Sequence, residues 1–186
     1  FELQTIKTEG DQKTEKPLWQ LDGKDFFTKE LDAALLQDEV DMVVHSYKDL
    51  GSERPEGLEL AAVGKRKFGQ DILLVPKSKI TKIKDKKEFI VGTSSPRRIA
   101  NVESSLKEFL PGAPSELEVK CSMLRGNVNT RIQKLLDGNY DAIVLALAGL
   151  ERLASKEDSR KVLTDLLKDL TFLILPQKTF PSSASQ

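Results

Sequence analysis

The sequence predicts an α/β fold with a largely parallel sheet, and three observations support this. Short apolar segments of strand length alternate with longer segments whose apolar residues recur at helical spacing. That alternation is typical of strand–helix–strand crossover units. The chain of 186 residues, 39% hydrophobic and 31% charged, is long enough to bury a core and fits a soluble globular protein of one large or two small domains.

The first third of the chain contains three predicted strands around one predicted helix. The strands lie at residues 1–6, 41–45 and 58–63. The helix is expected to begin at Thr28, a residue type that caps helices, because Leu31, Ala34 and Leu35 follow at helical spacing.

The rest of the chain repeats the alternation. Its predicted strands lie at residues 72–75, 89–91, 117–120, 142–147 and 171–175. The helices between them are marked by apolar faces at Ile99, Val102, Leu106 and Phe109, at Ile132, Leu135 and Leu136, and at Val162, Leu163, Leu166, Leu167 and Leu170. Gly138 is expected to end the second of these helices as a C-cap. The lysine-rich residues 77–87 are predicted to form a solvated surface and not a binding patch.

Composition excludes several classes of function. Twenty-nine basic and 29 acidic residues give zero net charge, which excludes a generally basic nucleic-acid binder. The longest apolar run, residues 142–150, is too short to cross a membrane. A single cysteine, Cys121, and a single histidine, His45, exclude a disulfide framework and a multi-histidine metal site. Residues 1–6 resemble no signal peptide, so we expect a cytoplasmic protein of which this chain is a fragment.

Ligands of open α/β sheets bind beyond the carboxyl ends of strands, and the most informative polar cluster of this chain follows strand 89–91. Ser95 suits an N-cap and Pro96 suits the first helical position, which places Arg97 and Arg98 in the first turn. Two cations there oppose the helix dipole, so without a bound anion their removal should leave the protein as stable or slightly more stable. Hydroxyls and backbone N–H groups complete a predicted anion site; the hydroxyls belong to Thr93, Ser94 and Ser95. An ordinary cap with arginines paired to nearby acids is the alternative.

A second basic cluster follows strand 117–120. Arg125 and Arg131 flank a turn in which Gly126 permits tight curvature and Asn127 can cap the next helix. Arginine forks suit carboxylates, and Arg125 is the better candidate because Arg131 could equally lie on a helix surface. Arg152 is the weakest candidate and could be a structural ion-pair partner.

One acid, Asp49, follows strand 41–45 beside Lys48. The two could form a turn ion pair, or Asp49 could stabilise positive charge that develops on a substrate. His45 is expected to be a satisfied core histidine and Cys121 a buried, inert thiol. Residues 23–27 could form a mobile loop.

These clusters, in this order, resemble the porphobilinogen deaminase (hydroxymethylbilane synthase) family. The most specific segments are Gly-Thr-Ser-Ser-Pro-Arg-Arg at 92–98 and Leu-Arg-Gly-Asn-Val-Asn-Thr-Arg at 124–131. Similar segments also occur at residues 27–36, 44–49 and 140–153, so the resemblance covers nearly all of the chain up to Pro176.

The resemblance implies two domains of the type II periplasmic-binding-protein kind with an active site in the cleft between them. Domain 1 would comprise residues 1–65 and 172–186, without its first strand and helix, and domain 2 would comprise residues 66–171. Within these 186 residues the family's third domain would be absent, and with it the cysteine that carries the dipyrromethane cofactor; whether that domain follows Gln186 is left open. Departures from the family pattern occur at Gly51, 67–70 and 177–185.

The implied activity is the head-to-tail condensation of four porphobilinogens with release of ammonia, which yields hydroxymethylbilane. Asp49 would be the catalytic carboxylate, and Lys24 and Phe27 would lie on a mobile loop over the cleft. Acetate and propionate groups of cofactor and substrate would be bound by Ser46, Lys48, Thr93, Ser94, Ser95, Arg97, Arg98, Arg125, Asn127, Arg131 and Arg152. The expected partners are these polycarboxylate pyrroles, with no nucleic acid, membrane or metal, and the protein would be a monomer. A non-catalytic anion-binding module, or an inactive relative of the same cleft fold, is the alternative.

Overall fold

The structure, a computed structural model, describes residues 1–8, 28–47, 50–51, 54–65 and 67–182. By its contacts the chain separates into a smaller unit, Phe1–Lys65 with Ala184–Gln186, and a larger unit, Arg66–Ser183.

The smaller unit contains one helix in its described part. Helix α1, Lys29–Leu36, begins after Thr28 as predicted and buries Ala34. The strands predicted at residues 1–6, 41–45 and 58–63 are not formed: these residues pair with no other strand of the described chain. None of the apolar side chains in these three segments is buried, and Met42 and Val44 are exposed, so little apolar burial favours a strand there.

The larger unit contains five strands, and its elements follow the predicted order. The strands are β1 (Asp71–Pro76), β2 (Glu88–Gly92), β3 (Glu118–Ser122), β4 (Ala142–Ala146) and β5 (Leu170–Ile174). The helices are α2 (Lys77–Ile80), α3 (Pro96–Ser105), α4 (Val128–Leu136), α5 (Leu147–Ala154) and α6 (Glu157–Leu167), with single 3₁₀ turns at Ile83–Asp85 and Leu106–Phe109. Helix α5 is not among the predicted helices, because the sequence pattern there indicates a polar cluster following a strand.

The sheet is mixed, which corrects the prediction of a largely parallel one. The strand order is β3-β2-β4-β1-β5. Strand β2 runs parallel to β3 and β4, whereas β1 runs antiparallel to both of its neighbours, β4 and β5. The amino end of β1 therefore lies at the same sheet edge as the carboxyl ends of β2, β3 and β4. We call this edge, which carries the functional candidates, the carboxyl edge.

Both faces of the sheet are buried, as an α/β fold requires. Alternate residues of β1 illustrate this, since Leu73 and Val75 belong to one apolar cluster and Ile72 and Leu74 to the other. Helix α3 and the 3₁₀ turn after it cover the first face, whereas α4, α5 and α6 cover the second. None of the helices in the described residues is both long and apolar enough to span a membrane.

The chain after α6 packs on the larger unit, whereas residues from 172 onwards were expected in domain 1. Strand β5 is hydrogen-bonded to β1 over its whole length. Beyond it, Phe180 is buried and its ring meets Phe109 edge to face, with 5.3 Å between the centroids. The apolar surface that Phe180 covers belongs to the sheet of the larger unit, and this burial holds the segment there.

Two half-buried lysines of the 77–87 stretch pair with a buried carboxylate at the opposite edge of the sheet, whereas the other lysines of the stretch are exposed as predicted. Asp141, which precedes β4, lies 3.4 Å from the Lys79 Nζ and 2.9 Å from the Lys86 Nζ. It also accepts a hydrogen bond from the Ile90 N–H at 3.0 Å. Burial by itself would raise the pKa of Asp141, but this hydrogen bond and the two ammonium groups outweigh it and lower the pKa below 3.8.

We therefore expect Asp141→Asn to destabilise the protein at pH 7 by about 2 kcal/mol, the usual size of hydrogen bonds to a charged group. A carboxyl whose pKa is lowered by folding stabilises the fold above its unfolded value and loses that contribution as the pH falls. The difference between wild type and variant should therefore shrink in acid. Urea unfolding at pH 7 and at about pH 3 measures both. Glu157→Gln, which removes an exposed pair with Lys161, is the control and should change little at either pH. A constant difference across this range would contradict the assignment.

Candidate anion-binding site

Two loops at the carboxyl edge carry most of the candidate residues and are tied together by hydrogen bonds. The Ser94 hydroxyl donates to the Leu124 carbonyl at 2.7 Å and accepts from the Leu124 N–H at 3.0 Å. The Thr93 N–H donates to the Ser122 carbonyl at 2.9 Å, which continues the β2–β3 pairing past the strand ends. These bonds hold the loop after β2 against the loop after β3.

The start of α3 has the predicted layout, with Ser95 as N-cap and Pro96 in the first turn. The Ser95 side chain makes no capping hydrogen bond, contrary to expectation. The Ser95 N–H instead donates to the Thr93 hydroxyl at 3.3 Å. Of the three predicted hydroxyls, those of Thr93 and Ser94 therefore order the loop backbone.

Arg97 and Arg98 share one buried counter-ion that was not predicted, Asp71 at the start of β1. The Arg97 Nη2 lies 2.9 Å from Asp71 Oδ2, and the Arg98 Nη2 lies 2.7 Å from Asp71 Oδ1. Arg97 Nη1 also donates to the Pro181 carbonyl at 2.6 Å. This corrects the expectation that the two arginines only repel each other without a ligand, and it agrees with the alternative in which they pair with a nearby acid, since an internal carboxylate offsets part of their charge.

The loop after β3 has the predicted geometry. Gly126 has a φ of 119°, and a Cβ there would lie 2.8 Å from the Thr130 Cγ2, so both the backbone conformation and the space favour glycine. The Asn127 side chain caps α4 by accepting from the Thr130 N–H at 2.9 Å. Arg131 Nε donates to the Gly126 carbonyl at 2.7 Å, which fixes the guanidinium over the turn.

Arg98 in the first turn of α3 and Arg125 in the loop before α4 lie near enough for their charges to act on Arg131, in the first turn of α4. Burial lowers the pKa of Arg131, and the positive charges of Arg98 and Arg125 lower it further. Arg98 is buried, and among the described residues its Nε has no hydrogen-bond partner. A half-buried cluster of cations with an unused donor is a site for an anion, and guanidinium forks match carboxylates.

The remaining predicted residues belong to α5, to the smaller unit or to the part of the chain that the structure does not describe. Arg152 is exposed in the last turn of α5, and Ser46 is exposed in the smaller unit. His45 is half-buried, and its Nε2 has no partner in the described part of the chain, so it is not the satisfied histidine that was expected. Lys24, Phe27, Lys48 and Asp49 lie outside the described residues. Within the described ranges no group of three or more acidic, histidine or cysteine residues could hold a metal ion.

Cys121 is half-buried on β3 and poorly suited to covalent chemistry. Its N–H donates to a Glu103 carboxylate oxygen at 2.9 Å. Burial, followed by the negative charge of Glu103, raises the pKa of the Cys121 thiol to about 12. The thiolate is the nucleophilic form, so this cysteine is inert near neutral pH, as predicted from the sequence.

We expect Cys121 to react very slowly with iodoacetamide at pH 8, because a pKa of about 12 leaves only ~10⁻⁴ of the thiol ionised. Intact-mass spectrometry of the alkylated chain measures the reaction, and the same chain in urea should react fully. The untreated chain should show its unmodified mass. A dipyrrole adduct mapped to Cys121 would contradict this interpretation.

Asp71 is the site residue that sequence reasoning missed. The apolar run that predicted β1 begins at Ile72, and an assumed parallel sheet placed the start of this strand at the opposite edge, away from Arg97 and Arg98. The one sequence feature that could have identified Asp71 is its position as an acid directly before the apolar run. That position becomes informative only when β1 is known to run antiparallel to β4.

Comparison with known proteins agrees with this site. The family described as "Porphobilinogen deaminase, dipyromethane cofactor binding domain" matches residues 1–178. A probable porphobilinogen deaminase of Pyrobaculum neutrophilum is 44% identical over 153 residues, which are 82% of this chain and 48% of that protein. The porphobilinogen deaminase of Bacillus subtilis is 40% identical over 168 residues, 90% of this chain and 49% of that protein. The chain thus spans about half the length of these curated relatives. It belongs to the porphobilinogen deaminase family and corresponds to the dipyromethane cofactor binding domain.

Proposed function

We propose that this chain is the part of a hydroxymethylbilane synthase that holds the carboxylate groups of the dipyrromethane cofactor and of porphobilinogen. The convergence of Arg98, Arg125 and Arg131 at the carboxyl edge is the observation that carries the proposal. Each pyrrole of these compounds bears one acetate and one propionate, so a growing chain of pyrroles presents many carboxylates. A cationic cluster matches that chemistry.

The residues present fit the cofactor. Arg98 has a buried Nε without a partner in the described chain, and Arg131 has a pKa lowered by burial and by its neighbouring cations. Both observations indicate donors that gain from a bound anion. When bound, the dipyrromethane supplies the terminal pyrrole to which the first substrate is joined. Cys121 does not fit its thioether attachment, because the pKa of its thiol is raised.

The roles of the candidate residues follow from their contacts. Arg98, Arg125 and Arg131 would bind carboxylates directly, with Arg97 beside them. Ser94 and Asn127 would act through the backbone, since Ser94 joins the two loops and Asn127 caps α4. The family resemblance alone supports the other proposed carboxylate-binding residues, which are Thr93, Ser95, Ser46, Lys48 and Arg152.

We further propose that the carboxylate contacts lie on one side of a cleft between two domains of the type II periplasmic-binding-protein kind. Asp49 would act from the other domain as the catalytic carboxylate, with Lys24 and Phe27 on a loop over the cleft. The support is the family membership and the position of the arginine cluster at the carboxyl edge, where ligands of open α/β sheets bind.

Calorimetric titration of porphobilinogen into the 186-residue chain tests the binding part. Arg131→Gln should weaken binding by ~10-fold or more, because a half-buried cationic partner of the carboxylate is lost while the Gly126 turn is retained. Added salt should weaken binding by the wild type. Arg160→Gln, which alters an exposed arginine of α6, is the matched control and should bind normally.

The ligand class and the reaction are tested separately. An aminomethylpyrrole without carboxylates should not bind, and equal binding of this compound would contradict the carboxylate assignment. Porphobilinogen consumption by the complete protein tests the enzyme. Carboxylate-dependent binding without any turnover would favour the alternative, an anion-binding module or inactive relative.

A further inference from the structure

Asp71, the shared partner of Arg97 and Arg98, is buried and is held in place by the backbone of the sheet. It is only 4% exposed and lies at the first residue of β1, the strand between β4 and β5. Its backbone carbonyl accepts from the Leu175 N–H at 2.9 Å, and it is paired in register with Ala146 of β4. The carboxylate therefore projects from a backbone position that is held on both sides, by β4 and by the residue after β5.

Each oxygen of this carboxylate binds a different arginine. Oδ2 accepts from Arg97 and Oδ1 accepts from Arg98. The first turn of α3 contains no acidic residue, and the Ser95 side chain does not cap it. Among the described residues, Asp71 is thus the carboxylate that binds both guanidinium groups. Its negative charge offsets their mutual repulsion and their unfavourable interaction with the helix dipole.

Arg98 keeps a donor for a ligand. A guanidinium has five N–H donors, and Arg98 gives one Nη to Asp71 while its Nε has no partner among the described residues. Two guanidinium groups and one carboxylate leave a net single positive charge, fixed in place beside Arg125 and Arg131. A fixed cation binds an anion better than a mobile one, because less side-chain entropy is lost on binding.

We infer that Asp71 is a positioning residue of the site: through its two oxygens it fixes Arg97 and Arg98 in the orientation that receives a carboxylate of a pyrrole ligand. The identity of that ligand rests on the proposed function. The positioning itself concerns contacts within this chain and can be tested without a ligand.

The Asp71→Asn variant distinguishes a positioning role of Asp71 from a purely electrostatic effect of its charge on ligand affinity. Removing a negative charge makes the site more positive, so if the arginines stayed in place porphobilinogen would bind more tightly. Positioning predicts the opposite sign, a loss of affinity of ~10-fold or more when the guanidinium groups are released. Calorimetry on the 186-residue chain measures the change. Asp71→Glu keeps the charge and displaces it by one methylene, so its affinity should lie between those of wild type and Asp71→Asn.

Asp141→Asn is the matched control, because Asp141 is also a buried carboxylate with two cationic partners but lies at the opposite edge. Both asparagine variants should unfold at lower urea concentration, and only Asp71→Asn should lose affinity. Equal or tighter binding by Asp71→Asn would overturn the inference, and so would an equal loss in Asp141→Asn. If Asp71→Asn does not fold, Asp71→Glu decides, since wild-type affinity in that variant would also overturn it.

Arginine side-chain NMR of the ligand-free chain provides the second measurement. Arg98 should give a resolved Nε–Hε signal protected from exchange in the wild type, assigned by its loss in Arg98→Lys. In Asp71→Asn or Asp71→Glu this signal should shift and exchange faster, and an unchanged signal would overturn the inference. If wild type binds no porphobilinogen while the signal behaves as expected, the proposed ligand is wrong and the positioning role holds.

Discussion

Replacing Asp49 by asparagine in the complete protein is expected to lower the turnover of porphobilinogen by at least ~10²-fold, the usual cost of removing one preorganised electrostatic group. The substitution keeps the size of the side chain and removes its charge. Asp49 is proposed to stabilise a cationic pyrrole intermediate, so the charge contributes mainly in the transition state. Porphobilinogen affinity should fall much less than the rate, because the arginines bind the carboxylates.

Asp49→Glu is the matched variant for this experiment. It restores the charge one methylene away and should recover part of the activity. Rate and affinity measured side by side for wild type and both variants separate a catalytic role from a binding role. If Asp49→Asn turns over porphobilinogen at the wild-type rate, Asp49 is not a catalytic residue. If rate and affinity fall equally, Asp49 is a substrate-binding residue instead.

The larger unit could be predicted well from sequence because its elements carry local signals. The Asn127 cap, the positive φ of Gly126 and the apolar face of α4 depend on neighbouring residues only. The direction of β1 could not be predicted, since a strand buried on both faces shows no alternation that reports its partner. The strands predicted before residue 64 failed for a related reason. An apolar segment forms a strand only where another strand pairs with it, and residues 41–45 are unpaired in the described chain.

The candidate site was predicted in part for similar reasons. Arg97, Arg98, Arg125 and Arg131 lie at strand ends and helix starts, where the local pattern indicates an anion site. Their shared counter-ion comes from a strand 26 residues before Arg97 and depends on the strand order of the sheet. The pattern therefore identified the cations and missed the carboxylate that offsets them.

This missed carboxylate reverses the expected effect of removing Arg98. From sequence alone, Arg98→Ala should leave the protein as stable or more stable, because it removes a cation from a helix start. In the structure the Arg98 side chain is 10% exposed and binds a carboxylate that is 5% exposed. Removing Arg98, the more buried of the two partners, leaves the buried Asp71 carboxylate with only the more exposed Arg97, so we expect Arg98→Ala to cost about 3 kcal/mol.

Arg97→Ala provides the comparison, because its side chain is 21% exposed and Arg98 would still pair with Asp71. We expect it to cost about 1 kcal/mol, because its hydrogen bonds to Asp71 and to the Pro181 carbonyl are partly exposed and contribute little each. Urea unfolding of both variants at pH 7 measures the two costs.

The double variant Arg98→Ala with Asp71→Ala then identifies the source of the loss. The cause of the lost stability could be the Asp71 carboxylate that remains after Arg98 is removed. In that case the double variant should lose less stability than the two single variants together, with a coupling of at least about 1 kcal/mol. Strict additivity would assign the loss to packing of the arginine stem instead. If Arg98→Ala is as stable as the wild type, the sequence-based expectation holds instead. In that expectation only a bound ligand offsets the unfavourable positive charge at the start of α3.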